Sequence, residues 1–102
     1  MEFMIKEEDI NLLAEKVLNL NKNFFGHYVV CKIEEYEKFE PLINMEHAWL
    51  LLSSFEEGLI RKRMNGINYR AWILHNGKEY TETAFTPNEA IINVALKACD
   101  IK

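Results

Sequence analysis

The chain reads as a single α+β domain in which an antiparallel β-meander carries three main helices, an α-β-α sandwich-like arrangement. Three observations predict it. Two Asn-Gly dipeptides, Asn65-Gly66 and Asn76-Gly77, each lie between β-compatible runs, and such pairs favour the positive φ angles of two-residue hairpin turns. Residues 85 to 99, FTPNEAIINVALKAC, join a helix start signal to an apolar run, and two earlier stretches place apolar residues at helical spacing.

Length and composition set the frame. With 102 residues, 49% hydrophobic and 27% charged, the whole chain, 1–102, suits one globular domain with its own core. No repeat, linker or low-complexity stretch divides it. The longest apolar run is far short of the roughly 20 residues a spanning helix needs. The opening MEFMIKEED lacks a basic region followed by an apolar one, so no signal peptide is expected and the location predicted is the cytoplasm, with no membrane partner.

The first helix is expected over residues 7 to 20, EEDINLLAEKVLNL, where Ile10, Leu13, Ala14 and Val17 share a face and Glu7, Glu8 and Asp9 meet the positive end of the helix dipole. Gly26 then breaks the chain before a β-rich run from Tyr28 to Ile33. The acids and Pro41 of IEEYEKFEPLIN suit a surface excursion better than a central strand. Asn44 is placed to cap a second helix from Met45 to Glu57, with Met45, Ala48, Trp49, Leu52 and Phe55 on one face and Gly58 as its left-handed terminator.

The Asn-Gly turns fix the meander's register if each holds two residues. Met64 then pairs with Ile67, Lys62 with Tyr69 and Ile60 with Ala71; across the second turn His75 pairs with Lys78, Ile73 with Tyr80 and Ala71 with Glu82. One face collects Ile60, Met64, Ile67, Tyr69, Ala71, Ile73, Tyr80 and Ala84, while Arg61, Arg63, Arg70, Trp72, Thr81 and Thr83 fall on the other. The last helix begins with Thr86 as cap, Pro87 at its first position and Glu89 at its third, a capping box. Its polar residues Glu89, Asn93 and Lys97 form one narrow stripe, so its apolar surface exceeds what one sheet face covers. The first helix or another copy of the protein must cover the remainder.

The element order and three stretches, LLAEKVLN, EPLINMEHAW and TPNEAIINVALKA, resemble the phage ABA-sandwich domain family of small phage and prophage proteins. That family's patterns run as an Ala-Glu-Lys-Val helix, a Pro-led segment ending in Ala-Trp, and a Thr-x-x-Glu-Ala-Ile helix closing in Ala-Leu-Lys-Ala. Their spacing covers nearly the whole chain. A Gly-Trp often follows the family's first helix, where this chain has Leu18-Asn19-Leu20-Asn21. The resemblance implies helices on both sides of a sheet and a phage setting, and it brings no catalytic motif.

Chemistry is sparse. Twelve Lys and Arg against sixteen Asp and Glu give a net charge of -4, which argues against general nucleic-acid binding. Cys31 and Cys99 stand far apart without metal or disulfide spacing, and His27, His47 and His75 are scattered. Ser53 and Ser54 lie in a helix rather than a nucleophile elbow. No enzyme activity, metal or cofactor is expected.

Two surfaces remain as binding candidates. Arg61 faces Arg70 in the inferred register, with Arg63, Trp72, Thr81 and Thr83 beside them; guanidinium forks, an indole and hydroxyls suit a phosphorylated, stacking ligand. Glu34, Glu35 and Glu37 with Tyr36 and Phe39 form an acidic, aromatic surface that suits a basic partner. The favoured expectation is a homo-oligomeric phage accessory protein that counters bacterial defence by sequestering a nucleotide immune signal. The alternative is an inhibitor that binds a host defence protein, in the manner of an anti-CRISPR.

Overall fold

The computed structural model of the chain describes residues 5–32, 35–62 and 68–99. Three helices and two three-stranded antiparallel sheets make up these residues. The smaller sheet has the order β1 (Asn21–Lys22), β2 (Tyr28–Lys32), β3 (Glu35–Lys38); the meander has the order β4 (Glu57–Lys62), β5 (Tyr69–His75), β6 (Lys78–Ala84).

Helix α1 spans Glu7–Lys16 and stops short of the expected residue 20. Asn19 adopts a φ of 52°, a left-handed conformation that asparagine tolerates better than most residues. The Leu18 and Leu20 N–H groups turn back onto the Leu13 and Ala14 carbonyls at 3.3 and 2.9 Å, satisfying helix-end acceptors and releasing the chain into β1. The segment expected to be a surface excursion supplies a strand: β3 pairs with β2, Lys38 opposite Val29 and Glu35 opposite Lys32. An edge strand tolerates such charged residues, because only one of its sides must pair.

Helix α2 spans Met45–Ser53, with the Asn44 side chain accepting from the Glu46 and His47 N–H groups at 2.9 and 3.4 Å. It ends before the expected Glu57, which belongs to β4. Gly58 is likewise in β4, not a helix terminator. A Cβ there would lie 2.8 Å from the Leu52 side chain and 2.9 Å from its carbonyl oxygen, so close packing of helix on strand requires the glycine. The buried face is also rotated: His47, Ala48, Leu51 and Leu52 point inward, whereas Trp49 is 52% exposed and Met45 sits at the surface.

The meander has the inferred register. Lys62 opposes Tyr69 and Ile60 opposes Ala71; His75 opposes Lys78, Ile73 opposes Tyr80 and Ala71 opposes Glu82. Asn76 and Gly77, with φ angles of 52° and 78°, make the positive-φ turn of a hairpin. Asn65-Gly66, Met64 and Ile67 lie outside the described residues. The inner face contributes Ala71 and Ile73 to the core, with Ile60, Tyr69, Tyr80 and Ala84 packed against them.

Helix α3 spans Pro87–Ala98. The Thr86 Oγ1 accepts from the Glu89 N–H and donates to the Glu89 carboxylate, both at 3.1 Å. Glu89 thus engages the cap's hydroxyl, where a full capping box has it accept from the cap's backbone N–H. Ala90 through Leu96 are all buried, Asn93 included at 7% exposure, so the expected polar stripe meets water mainly at Lys97. One side of α3 packs on the meander's inner face and the other on α1 and α2. The chain itself covers the helix, which removes its excess apolar surface as an argument for a second copy. No described helix is long and apolar enough to cross a membrane.

Two substitutions test this packing. Leu96→Ala should lower the unfolding free energy by about 2–5 kcal/mol in denaturant titrations, because the site is enclosed and cannot collapse onto the void. Gly58→Ala should lower it by about 1–3 kcal/mol through overpacking against Leu52.

Candidate functional site

Period-two alternation projects three residues of each meander strand onto the outer face. Arg61, Arg70 and Thr83 form one cross-strand row; Leu59, Trp72 and Thr81 form the next; Glu57, Leu74 and Glu79 form the third. Rows on one face are about 7 Å apart, two residues of strand rise. Arg61, Arg70, Thr81 and Thr83 are exposed and Trp72 is half-buried, so no described helix covers this face. The Trp72 Nε1–H donates to Glu79 at 3.0 Å, which ties the indole toward the third row.

The structure therefore brings Arg61, Arg70, Trp72, Thr81 and Thr83 together as the register requires, while Arg63 lies outside the described residues. The ion pairs between described residues join His47 to Glu37 and Lys97 to Glu82, and neither involves these arginines. Two like charges directly opposite repel each other. An anion bound between them would relieve that repulsion while accepting from both guanidinium forks.

The acidic surface is more divided than expected. Glu34 lies outside the described residues, and Glu35 and Tyr36 are exposed on β3. Phe39 is no surface anchor: it is 4% exposed, its ring stacks on His47 with centroids 5.6 Å apart, and its N–H donates to the Tyr28 carbonyl at 2.8 Å. The hairpin pairing continues one residue beyond β3 and turns Phe39 into the core. His47, buried in α2, accepts the Glu40 N–H at Nδ1 (2.9 Å) and faces the Glu37 carboxylate through Nε2 at 3.1 Å. With Nδ1 an acceptor, the Nε2 proton donates to Glu37. This histidine joins α2 to β3 and the loop after it.

The Tyr28 hydroxyl donates to Glu15 at 3.0 Å; this hydrogen bond, with burial and the carboxylate's charge, raises its pKa above the ordinary phenol value. Burial raises the pKa of the half-exposed Cys99 thiol, and Lys16 partly opposes this; Cys31 is exposed. Among the described residues no group of three or more His, Cys, Asp or Glu side chains is placed to hold a metal ion.

One surface was missed by sequence reasoning. A groove of about 490 Å³ between β2 and α2 is lined by Val30, Met45, Glu46, His47, Trp49 and Leu50. In MEHAWLLLS the five residues Ala48 to Leu52 are all apolar, so periodicity alone did not show that Leu51 is core and Trp49 surface.

The chain is similar in fold to the crystal structure of a phage protein from Bacillus cereus ATCC 14579, with a TM-score of 0.70, 23% sequence identity, and a match covering 100% of this chain and 94% of that one. At that identity the similarity speaks for the fold. No protein-family model matches the chain, and no curated protein matches its sequence.

Two outcomes follow from these contacts. His47→Phe keeps an aromatic ring, somewhat larger, but leaves the Glu40 N–H without its acceptor, so unfolding free energy should fall by about 1–3 kcal/mol; His47→Asn, which retains an acceptor, should recover part of it. For Tyr28, a folded-state pKa raised above the model-compound 10.0 stabilises the fold below that pH. The contribution is lost as pH rises through the folded value. Thermal melts should accordingly show the advantage of wild type over Tyr28→Phe shrinking above about pH 10.

Proposed function

We propose that the chain is a non-enzymatic phage or prophage accessory protein that antagonises bacterial defence by binding, and that its outer meander face sequesters a nucleotide immune signal in the host cytoplasm. The observation that carries this reading is the directly opposed, exposed pair Arg61 and Arg70, unpaired by any described carboxylate, one row from Trp72. Thr81 and Thr83 add hydroxyls on the neighbouring strand. The phage setting is supported by the fold shared with the Bacillus cereus phage protein and by the ABA-sandwich resemblance in the first, second and last helices.

Oligomerisation belongs to the same proposal on new grounds. A flat face does not enclose a small molecule, and ligand sites are generally concave. Leu59, 50% exposed on this face, and Phe85, 64% exposed just beyond β6, are apolar surface that a second copy would bury over the ligand. A second reading, a protein inhibitor of a host defence complex, draws on Tyr36, 72% exposed beside Glu35 on the edge strand.

Thermal unfolding against a panel of cyclic and linear nucleotides tests the first reading. A bound nucleotide at 100 times its dissociation constant should stabilise the fold by about 2.7 kcal/mol, and Arg70→Ala should abolish the shift with an unchanged circular dichroism spectrum. No shift with any nucleotide, or undiminished binding by the variant, contradicts it. Charge reversal at Glu35 that abolishes pull-down of a host protein would favour the second.

A further inference from the structure

We propose that strand β6 pairs edge to edge with β6 of a second copy of this chain, antiparallel across a twofold axis at Tyr80, so that two meanders join into one continuous sheet. This contact uses the edge of the meander, not its outer face, and stands whether or not that face binds a nucleotide.

Among the described strands β6 has β5 as its one neighbour, and its seven residues stay in register without a bulge or a proline. A two-residue turn is closed by a hydrogen-bonded pair, here His75 and Lys78. Alternation then directs the backbone groups of Lys78, Tyr80, Glu82 and Ala84 toward β5 and points the N–H and C=O groups of Glu79, Thr81 and Thr83 away from the sheet. The Lys97 ammonium of α3 reaches the Thr81 carbonyl at 3.5 Å from outside the ladder, as this assignment requires. Among the described residues no other hydrogen bond is made to that outward row. A long edge with open backbone groups is a template for another strand. The other edges are poorer templates: β3 has four residues, and β4 carries Gly58, packed closely under Leu52 of α2.

Charge selects a second copy as the occupant, and one register. An axis at Lys78, Glu79 or Glu82 would set that charge against its own counterpart. An axis at Thr81 would set Lys78 opposite Ala84 and Glu82 opposite Tyr80, matching no charge. With the axis at Tyr80, Lys78 of each copy lies opposite Glu82 of the other, giving reciprocal ion pairs on the inner face, while Glu79 and Thr81 exchange backbone hydrogen bonds across the axis. Lys78 has no ion-pair partner among the described residues. Glu82 meets Lys97 through Oε2 at 3.1 Å, and its Oε1 can still accept. Lys97 is the one exposed residue of α3, and its contact with Thr81 is at the limit of hydrogen-bond length, so a flexible side chain is all that must move aside. Phe85, 64% exposed just past β6, comes beside the second copy's Asn76-Gly77 turn. Such an axis, perpendicular to the sheet, keeps the helices of both copies on one side and both Arg61 and Arg70 rows on the other.

Sedimentation equilibrium of the full chain, without nucleotide, tests this pairing. Wild type should show a monomer–dimer equilibrium. Lys78→Glu and Glu82→Lys each set like charges opposite one another in their own homodimers and should weaken dimerisation about tenfold or more. An equimolar mixture of the two variants restores opposite charges at every 78–82 pair and should recover dimerisation. Thr81→Pro removes an edge N–H that makes no bond to β5, and should be monomeric with an unchanged circular dichroism spectrum. The proposal is overturned if wild type stays monomeric up to about 1 mM, if the mixture associates no better than either variant alone, or if folded Thr81→Pro still dimerises.

Discussion

Helix α3 must be buried almost all the way round, and the other elements take positions that meet this requirement. Ile91, Ile92, Val94 and Leu96 are fully buried, each worth about 1.5–3 kcal/mol relative to exposure. The meander's inner face supplies one wall; α1 and α2 supply the other. The helix start is anchored at two places, by the Thr86 cap and by the Asn88 side chain donating to the Pro41 carbonyl at 2.7 Å. The second anchor joins α3 to the loop that leads into α2, so the wall and what it covers are positioned together.

The proposed function draws on the surfaces this arrangement leaves over. Because the helices gather against the meander's inner face, its outer face stays open, and the alternation that points Ala71 and Ile73 inward points Arg70 and Trp72 outward. Likewise α2 uses one side to close the core over α3, which leaves its Met45 and Trp49 ridge facing solvent beside β2. Both exposed surfaces are thus the reverse sides of core-forming elements. Their side chains stand on regular helix and strand backbone.

Much of this was legible in the sequence where local chemistry dominates. Asn76-Gly77 gave the β5–β6 register, and counting outward from Asn65-Gly66 gave the opposition of Arg61 and Arg70 that the β4–β5 pairing has; Asn44, Thr86 and Pro87 marked helix starts by capping physics alone. The misreadings fall where tertiary contacts decide. The Leu18-Asn19-Leu20 segment continues a helical pattern, yet a left-handed Asn19 ends the helix. Gly58 has the position of a terminator, and its actual role is set by Leu52 packing across it. Phe39 reads as a surface aromatic among acids until the β2–β3 pairing turns it onto His47. Trp49 and Leu51 are interchangeable in an apolar helix until the core selects one.

Native-state hydrogen exchange measures the centrality of α3 most directly. If every other element is placed by its burial, the amides of residues 91–96 should exchange only through global unfolding, with protection equal to the unfolding free energy from denaturant, while β1, β3 and the ends of α1 open at lower cost. Exchange of those α3 amides by a partial opening that leaves the meander or the α1–α2 wall protected would contradict it.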